Sequence, residues 1–300
     1  MRTKLIANPN ADRGRGAAAL PQITDSLRKL GVAFDLDQTE APAHAVELAR
    51  RAVAAGYERI VAVGGDGTCN EVVNGLFTAV EPGATPCFGV IPAGSGNDFA
   101  HALNIPPDPE RACAVLRHGG PRPVDLGKVI VDGQSRYFAN NVGLGFDGEV
   151  AVDQQTVRRL HGFLMYLWSV FRVLAVGRWP YDMTTHWNNT QRDRPVTLIT
   201  VANGVRSGGG FLLTPAAQLD DGLLDICCAG KLSRLGVLKL LPKTFDGSHV
   251  YDRAITMAAA PTVRVSVAAG VPAHIDGEIL CRQGRQFEFE ALPGALTVWA

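Results

Sequence analysis

No stretch of this sequence is long and apolar enough to suggest a membrane span. The most membrane-like run, Phe163 to Val176, is 14 residues with Arg172 inside it, short of the roughly 20 that a bilayer core requires. It reads first as a buried helix and second as a helix near a lipid entrance. Charge of one sign is missing too: Lys+Arg and Asp+Glu both total 29, a formal net charge of zero. Long-range attraction to nucleic acid is not expected to dominate, so no nucleic-acid partner is expected. A local basic or apolar face can still touch a membrane. The 6 cysteines form no CxxC pair and no Cys/His cluster with zinc spacing. The opening MRTKLIANPN holds no apolar core of signal-peptide length. The expectation is reduced, buried cysteines and a cytoplasmic protein, peripheral to the membrane at most. No excess of Pro, Ser or charge marks a disordered arm. What is present is 46% hydrophobic and 19% charged over 300 residues, enough for one large domain or two ordinary ones.

The first 120 or so residues alternate strand and helix patterns. Lys4 to Asn8 is a short apolar run ending in the turn Asn8-Pro9-Asn10. Leu20, Ile23, Leu27 and Leu30 then recur at helical spacing, with Gly31 as a stop. Val32 to Leu36 reads as a strand, and Ala45, Leu48, Ala49 and Ala52 as one face of a second helix. Arg59 to Val63 is a buried strand, followed by a helix from Thr68, a strand Cys87 to Ile91 and a helix after Gly96. Strict alternation argues for a mostly parallel sheet covered by helices. Beyond Pro121-Arg122-Pro123 the pattern changes to short β-branched runs: Val124 to Val131, Tyr137 to Val142, Pro195 to Ala202, Leu223 to Cys228, Thr262 to Val267 and Phe287 to Ala291. Helical stretches near Val157 to Val176 and Leu232 to Leu241 interrupt them. The fold class expected is an α/β N-terminal domain over residues 1–122 and a β-rich, antiparallel sandwich over residues 123–300, with the last strand able to return to the first domain.

Two glycine turns stand out. In VAVGGDGTCNEVVNGL a buried strand ends at Gly64-Gly65-Asp66-Gly67 and an amphipathic helix begins at once. Glycine lets a backbone approach a ligand closely, and the first turn of a helix offers free N–H groups to phosphate. In an open parallel sheet, ligands bind where such turns lie, at the carboxyl ends of the strands. There is no Lys-Ser/Thr of a Walker loop and no GxGxxG. The odd residue is Asp66, whose carboxylate would repel phosphates unless a metal or a proton transfer gives it work. Thr68 and Glu71 also fit a capping box that merely starts the helix. The second turn, Ile91-Pro92-Ala93-Gly94-Ser95-Gly96-Asn97-Asp98, again links a strand to a helix. Ser95 suits a phosphate bond or a cap equally, and Asn97 and Asp98 suit caps. Two such turns on neighbouring strands can face each other across one nucleotide.

Together these residues resemble the diacylglycerol kinase catalytic family, which includes bacterial lipid kinases and sphingosine kinases. The likeness covers almost the whole chain. NPNADRG looks like that family's opening nucleotide loop, GGDGTCNEVVNGL is similar to its signature, and IPAGSGNDFA resembles its second glycine turn, with Ser95 where Thr is common. The resemblance implies ATP contacts from Asn8, Asn10, Thr39, Gly64, Gly65, Asp66, Gly67, Thr68, Asn70, Glu71, Gly94, Ser95 and Asn97. From the residues alone Thr39 is only a loop residue before a helix. VDLG followed by FANNVGLGFDGEV looks like the start of the family's second domain. TPAAQLDDGLLDI resembles the segment that holds a structural magnesium, which implies a carboxylate from Asp221 and backbone carbonyls from Gln218 and Leu223. Read alone, Asp220-Asp221-Gly222 is a turn between strands. HIDGE matches the segment of the proposed catalytic base, which falls on Asp276 with Glu278 beside it. The family further implies a first domain akin to NAD kinases and phosphofructokinases, a nucleotide held between two domains, a lipid substrate taken from a membrane surface, and a homodimer.

The chemistry so implied is ATP- and Mg²⁺-dependent phosphoryl transfer to a lipid hydroxyl, diacylglycerol first, with a sphingoid base or another lipid alcohol as alternatives. Such transfer needs alignment, neutralised phosphate charge and a route for the hydroxyl proton. Asp276 is the first choice for the base. Asp66 is the second, or else the group that binds the catalytic metal. Exchanging Asp276 for Asn is expected to spare the fold and cut turnover by at least about 100-fold. NAD kinase is a rival within the kinases, and a silent nucleotide-binding regulatory module is a rival of another class. The intact carboxylate set Asp66, Asp221 and Asp276 argues against the silent module.

Overall fold

The computed structural model of the chain describes residues 1–79, 86–157, 160 and 162–300. It forms two compact units, Met1–Asp125 with Gly294–Ala300, and Leu126–Pro293. Among the described residues no helix is long and apolar enough to cross a membrane. All 6 cysteines are free thiols, and burial lifts those of Cys87 and Cys113 to about 11.

The N-terminal unit alternates β1 (Thr3–Ala7), α1 (Arg15–Lys29), β2 (Phe34–Gln38), α2 (His44–Ala54), β3 (Arg59–Gly64), α3 (Asp66–Ala79), β4 (Cys87–Pro92), α4 (Asp98–Ala102) and α5 (Pro109–His118). The strands are parallel, in the order β4-β3-β1-β2. Every residue of β3 is buried, as expected of a sheet covered on both faces. The helices bury the apolar faces that their spacing marks, Leu20, Ile23 and Leu27 on α1 and Ala45, Leu48, Ala49 and Ala52 on α2. The chain's end comes back to this sheet, where Val298 pairs in parallel with Phe88. Arg59, buried at the start of β3, donates to the Leu116 carbonyl at 2.6 Å and to Thr3 Oγ1 at 3.1 Å, and its guanidinium stacks over Trp299. The strand expected at Val32 to Leu36 lies two residues later, because Val32 still closes the end of α1 through a bond to the Leu27 carbonyl.

The C-terminal unit is β-rich and antiparallel. Its elements are the remainder of β5 (Pro121–Val131), β6 (Gln134–Phe138), β7 (Asn141–Gly145), α6 (Phe146–Gln154), α7 (Gly162–Val176), β8 (Tyr181–Trp187), β9 (Thr190–Ala202), β10 (Leu224–Gly230), α8 (Arg234–Leu240), β11 (Ile255–Ala260), β12 (Thr262–Ile275) and most of β13 (Glu278–Trp299). The strand order is β11-β10-β9-β7-β12-β13. β8 pairs with the outer halves of β9 and β12, and β7 with their inner halves. β7 and β8 thus share one lane of the sheet, and α6 and α7 are the excursion between them. The run Tyr137 to Val142, which reads as one strand in the sequence, is split at Ala139-Asn140. The helix expected from Val157 to Val176 begins at Gly162, and residues 158, 159 and 161 lie outside the described ones.

The excursion is pinned to the sheet by a buried polar cluster. Asp147, in the first turn of α6, has its Oδ2 at 2.8 Å from His274 Nε2 on β12, while the Tyr166 hydroxyl of α7 donates to its Oδ1 at 3.0 Å. Asp147 and His274 are both buried. Gly143 makes room for the pair, since a Cβ there would lie 2.4 Å from both partner atoms. Burial pushes the Asp147 carboxyl up, but the charge and hydrogen bond of His274 and the bond from Tyr166 outweigh it, leaving it below its ordinary value. A carboxyl lowered by folding adds stability above its unfolded value, near 3.9, and that stability is lost as pH falls through the folded value. Asp147→Asn is therefore expected to lower stability at pH 7 by about 2 kcal/mol. It is also expected to flatten the acid limb of the stability curve below about pH 4. Urea midpoints measured from neutral to acid pH check both; an acid limb as steep as in the parent chain would mean that this pair is not what acid breaks.

Candidate active site

The carboxyl ends of β1, β2, β3 and β4 lie in register, with Ala7 opposite both Gln38 and Val63 and Gly64 opposite Pro92. Most of the N-terminal residues implied for ATP follow directly from these ends. Asn8 continues β1, its N–H donating to the Val63 carbonyl, and its Nδ2 reaches Thr68 Oγ1 at 3.2 Å. Asn8 Oδ1 accepts the Asn10 amide at 2.9 Å. Thr39 follows β2 and is buried, its N–H bonded to the Ala7 carbonyl at 2.8 Å, so it belongs to this edge and not to a free loop. The two glycine turns abut: a Cβ on Gly94 would lie 2.3 Å from the Gly65 Cα, and the Ala93 amide bonds the Gly64 carbonyl at 2.8 Å. That approach excludes a Cβ at Gly94, and a Cβ at Gly65 would sit tightly, 3.1 Å from the Gly94 Cα. Asn70, by contrast, is fully buried behind the turn, with Asn74 bonded to its carbonyl and its side chain, and Ser95 is exposed.

The polar residues of the turns have structural work that the sequence reading assigned differently. Glu71 does not form a capping box with Thr68. Its two oxygens accept the Ala43 and Ala45 amides at 2.8 and 3.1 Å, capping α2, whose own N-cap residue is an alanine. Asp66 Oδ1 accepts the Phe99 amide at 3.0 Å, in the first turn of α4. Asn97 makes no cap bond to α4. Its side chain instead closes the second glycine turn, accepting from the Gly94 amide at 3.1 Å and donating to the Gly94 carbonyl at 2.8 Å. The first amides of a helix need acceptors: Glu71 supplies them to α2, whose N-cap alanine has none, and Asp66 supplies one to α4 while the Asn97 side chain is engaged within its own turn. The carboxylates thus cap α2 and α4. The first turn of α3, formed by Asp66, Gly67 and Thr68, remains at the carboxyl edge of the sheet for an anionic ligand.

In the C-terminal unit, Asp276 and Gly277 form the two-residue turn between β12 and β13, with φ of 46° and 86°, the left-handed pair that a tight hairpin demands. The Asp276 carboxylate is buried and accepts three amides, from Ala139 at 3.0 Å, Asn140 at 3.0 Å and Asn141 at 2.8 Å. That anchor is what splits β6 from β7. It also corrects the expectation that Asp276→Asn would spare the fold, because an amide NH₂ cannot accept the bond that one of the two oxygens now accepts. Glu278 opens β13 and is exposed. Asn140 and Asn141 both donate to the Arg206 carbonyl, and Asn203 to that of Ala139. These three asparagines are buried and were not among the expected site residues. The doubled Asn within an apolar run was the available signal, since buried amides are retained only where they are bonded.

The Asp221 loop is a turn as read: Asp221 Oδ1 accepts the Leu223 amide at 3.0 Å, and Gly222 has φ of 75°. Asp225 follows on β10, its carboxyl pushed up to about 6 by burial and by the Asp221 charge.

An apolar cavity lies in the same unit, walled by residues of α6, α7, α8, β9 and β10. Its lining is almost wholly aliphatic and aromatic, including Phe146, Val170, Leu198, Phe211 and Val237. The acidic residue on the wall, Asp147, is engaged by His274 and Tyr166. His249 and Cys227 meet at its edge, where burial holds the imidazole below its ordinary value and the thiol at about 12.

Residues 2–129 match the model of the diacylglycerol kinase catalytic domain, and residues 140–300 match that of the YegS C-terminal NAD kinase beta sandwich-like domain. The chain is 31% identical to a diacylglycerol kinase of Bacillus subtilis over 92% of its own length and 89% of the relative's. It is equally identical, 31%, to one of Mycobacterium tuberculosis over 98% and 93%. A protein of Chromohalobacter salexigens named "Probable lipid kinase YegS-like" is also 31% identical, over 95% and 90%. A crystal structure of a diacylglycerol kinase from Bacillus anthracis shares the fold, with a TM-score of 0.72 at 21% identity over 99% of this chain and 96% of that one. The chain therefore belongs to the diacylglycerol kinase and YegS family of lipid kinases, with the α/β catalytic domain first and the β-sandwich-like domain second.

Proposed function

We propose that this protein uses ATP to phosphorylate the hydroxyl of diacylglycerol, forming phosphatidic acid. The observation that carries this reading is the apolar cavity of the C-terminal unit. Its wall suits hydrocarbon chains and not the polar faces of NAD. An amine headgroup, as in a sphingoid base, would seek a carboxylate, and Asp147 on the wall is already committed to His274 and Tyr166. This favours a neutral lipid alcohol.

In the reaction the lipid hydroxyl oxygen attacks the γ-phosphorus of ATP. The bond from that phosphorus to the β,γ-bridging oxygen breaks, ADP leaves, and the hydroxyl proton passes to a carboxylate. Asp276 is the carboxylate we assign to the proton. Its three amide bonds hold it at a fixed position on the hairpin, as a base must be held. Asp66 is the second candidate, or the ligand of the metal that accompanies ATP; Glu278 lies one residue beyond the hairpin turn. The abutting glycine turns and the first turn of α3 offer backbone N–H groups to the phosphates, with Asn8, Thr39 and Thr68 beside them. When bound, Mg²⁺ neutralises phosphate charge. A second, structural Mg²⁺ fits the Asp221 loop by donor chemistry. Asp221 and the Gln218 and Leu223 carbonyls are all hard oxygen donors. Burial first, and the Asp221 charge second, lift the Asp225 carboxyl; a nearby cation would relieve the second.

Two predictions follow from this site. Asp66→Asn keeps an acceptor for the Phe99 amide, so it is expected to fold normally and to lose at least about 100-fold in turnover of diacylglycerol. Asp276→Asn is expected to lose at least as much per folded molecule while also lowering the urea midpoint. Phosphorylation measured with mass detection of the lipid product, normalised to the folded fraction, tests both. Near-parental turnover in folded Asp276→Asn would move the base elsewhere. For the loop, Mg²⁺ at about ten times its Kd is expected to raise the parent Tm by roughly 2–5 °C, and to leave Asp221→Asn unmoved. Equal shifts in both proteins would rule out a metal at Asp221.

A further inference from the structure

We propose that the outward faces of α7 and α8 dock the C-terminal unit onto an anionic bilayer surface, a step that rests on the lipid-kinase reading and supplies its substrate. Apart from Met1, every large hydrophobic residue found exposed among the described ones lies on α7, on α8 or on the segment just after α8. On α7, Leu164, Trp168 and Phe171 recur at helical spacing and stand 63%, 52% and 48% exposed, with Val176 beyond them. On α8, Leu235 is 69% exposed and Leu238 lies three residues on. The opposite faces of the same helices, through Tyr166, Val170, Val237 and Leu240, wall the apolar cavity. Both helices are therefore apolar on two sides, one turned to the cavity and one to solvent. A helix that is apolar all round ordinarily lies buried, and an exposed patch of this kind marks an interaction surface.

Three observations select a bilayer as the occupant. α7 is 15 residues long, too short to span a bilayer but suited to lying in its interface, and Trp168 is the residue type that favours that layer. The segment from Lys231 to Arg253 holds five cations, Lys231, Arg234, Lys239, Lys243 and Arg253, against Asp246 and Asp252. That is an excess of three positive charges in a chain whose net charge is zero, and it complements anionic headgroups. Finally, Arg234 Nε donates to the Leu174 carbonyl at 2.6 Å, tying α8 to α7, so the two helices that carry the exposed apolar residues are joined beside the cavity that they help to wall. A second copy of the chain would carry the same positive excess and repel it.

The test uses the full chain with vesicles of phosphatidylcholine, with or without phosphatidylglycerol. The expected result is sedimentation with phosphatidylglycerol vesicles, loss of binding at high salt, and weak binding to phosphatidylcholine alone. Leu235→Ser/Leu238→Ser and Trp168→Ser each remove side chains that do not line the cavity. Each is expected to weaken vesicle binding about tenfold or more, with unchanged circular dichroism and unchanged turnover of a short-chain diacylglycerol dispersed in water. Parental vesicle binding by these variants overturns the proposal, as does failure of the parent chain to bind anionic vesicles. So does a parent dimer in sedimentation velocity that the same exchanges convert to monomer. Lipid-dependent binding that the exchanges abolish, in a chain that phosphorylates no lipid, sustains the docking surface and removes the kinase reading alone.

Discussion

Backbone N–H groups that have no partner in their own element are what the acidic residues of this fold satisfy, within each of its two units. Glu71 closes the start of α2, Asp66 the start of α4, and Asp276 three successive amides between β6 and β7. Asp125 does the same for the Gly294 amide, at 2.6 Å, where the chain re-enters the N-terminal unit. Each carboxylate reaches a segment far from itself in sequence, so each bond fixes the relative position of two turns. A hydrogen bond to a charged acceptor is stronger than a neutral one, and leaving such amides unpaired would carry the full cost of desolvation. The acids proposed here for phosphoryl transfer are thus already held, by bonds that the fold requires for its own stability.

That dual use explains why the sequence was legible in one sense and not in another. The residue types, their order and their glycine neighbours marked the two turns that the sheet brings together, although the steric demand on Gly94 comes from Gly65 on the neighbouring strand's turn and not from its own sequence neighbours. The partners of Asp66 and Glu71 were not legible. A local rule pairs Glu71 with Thr68 three residues earlier, and that rule lost to α2, whose N-cap position holds Ala43 and offers no side-chain acceptor. Capping across elements depends on which helix start lies nearby, and spacing carries no trace of it. The same holds for Asn97, which closes its own turn because Asp66 has already taken the start of α4.

In the C-terminal unit the strands were readable as runs, yet their ends and pairings were not. Tyr137 to Val142 is continuous by β-propensity and broken in fact, because Asp276 draws off the amides of Ala139, Asn140 and Asn141. β8, Tyr181–Trp187, carries Asp, Thr and His in alternation with buried Met183, Thr185 and Trp187. Its polar half hid a strand that fills the lane left by β7. Asp147 and His274 were invisible for a related reason: they lie in unrelated motifs 127 positions apart, and only the sheet brings them together.

Helix α7 shows the limit of hydropathy in its plainest form. Fourteen nearly uninterrupted apolar residues were read first as a buried helix, and one side of it is indeed packed, with Val170, Val173 and Leu174 in a core shared with Phe146, Val150 and Val237. The same composition also supplies Leu164, Trp168 and Phe171 to solvent. Hydropathy counts apolar residues without saying how much apolar surface the rest of the fold can cover, and here α6 and α8 cover only one side. A sequence under pressure for solubility alone would place Lys, Glu or Gln at those outer positions, where helix propensity is equal or better. Keeping leucine, tryptophan and phenylalanine there costs exposure of apolar area in water, a cost that is recovered only when that side meets a medium as apolar as itself.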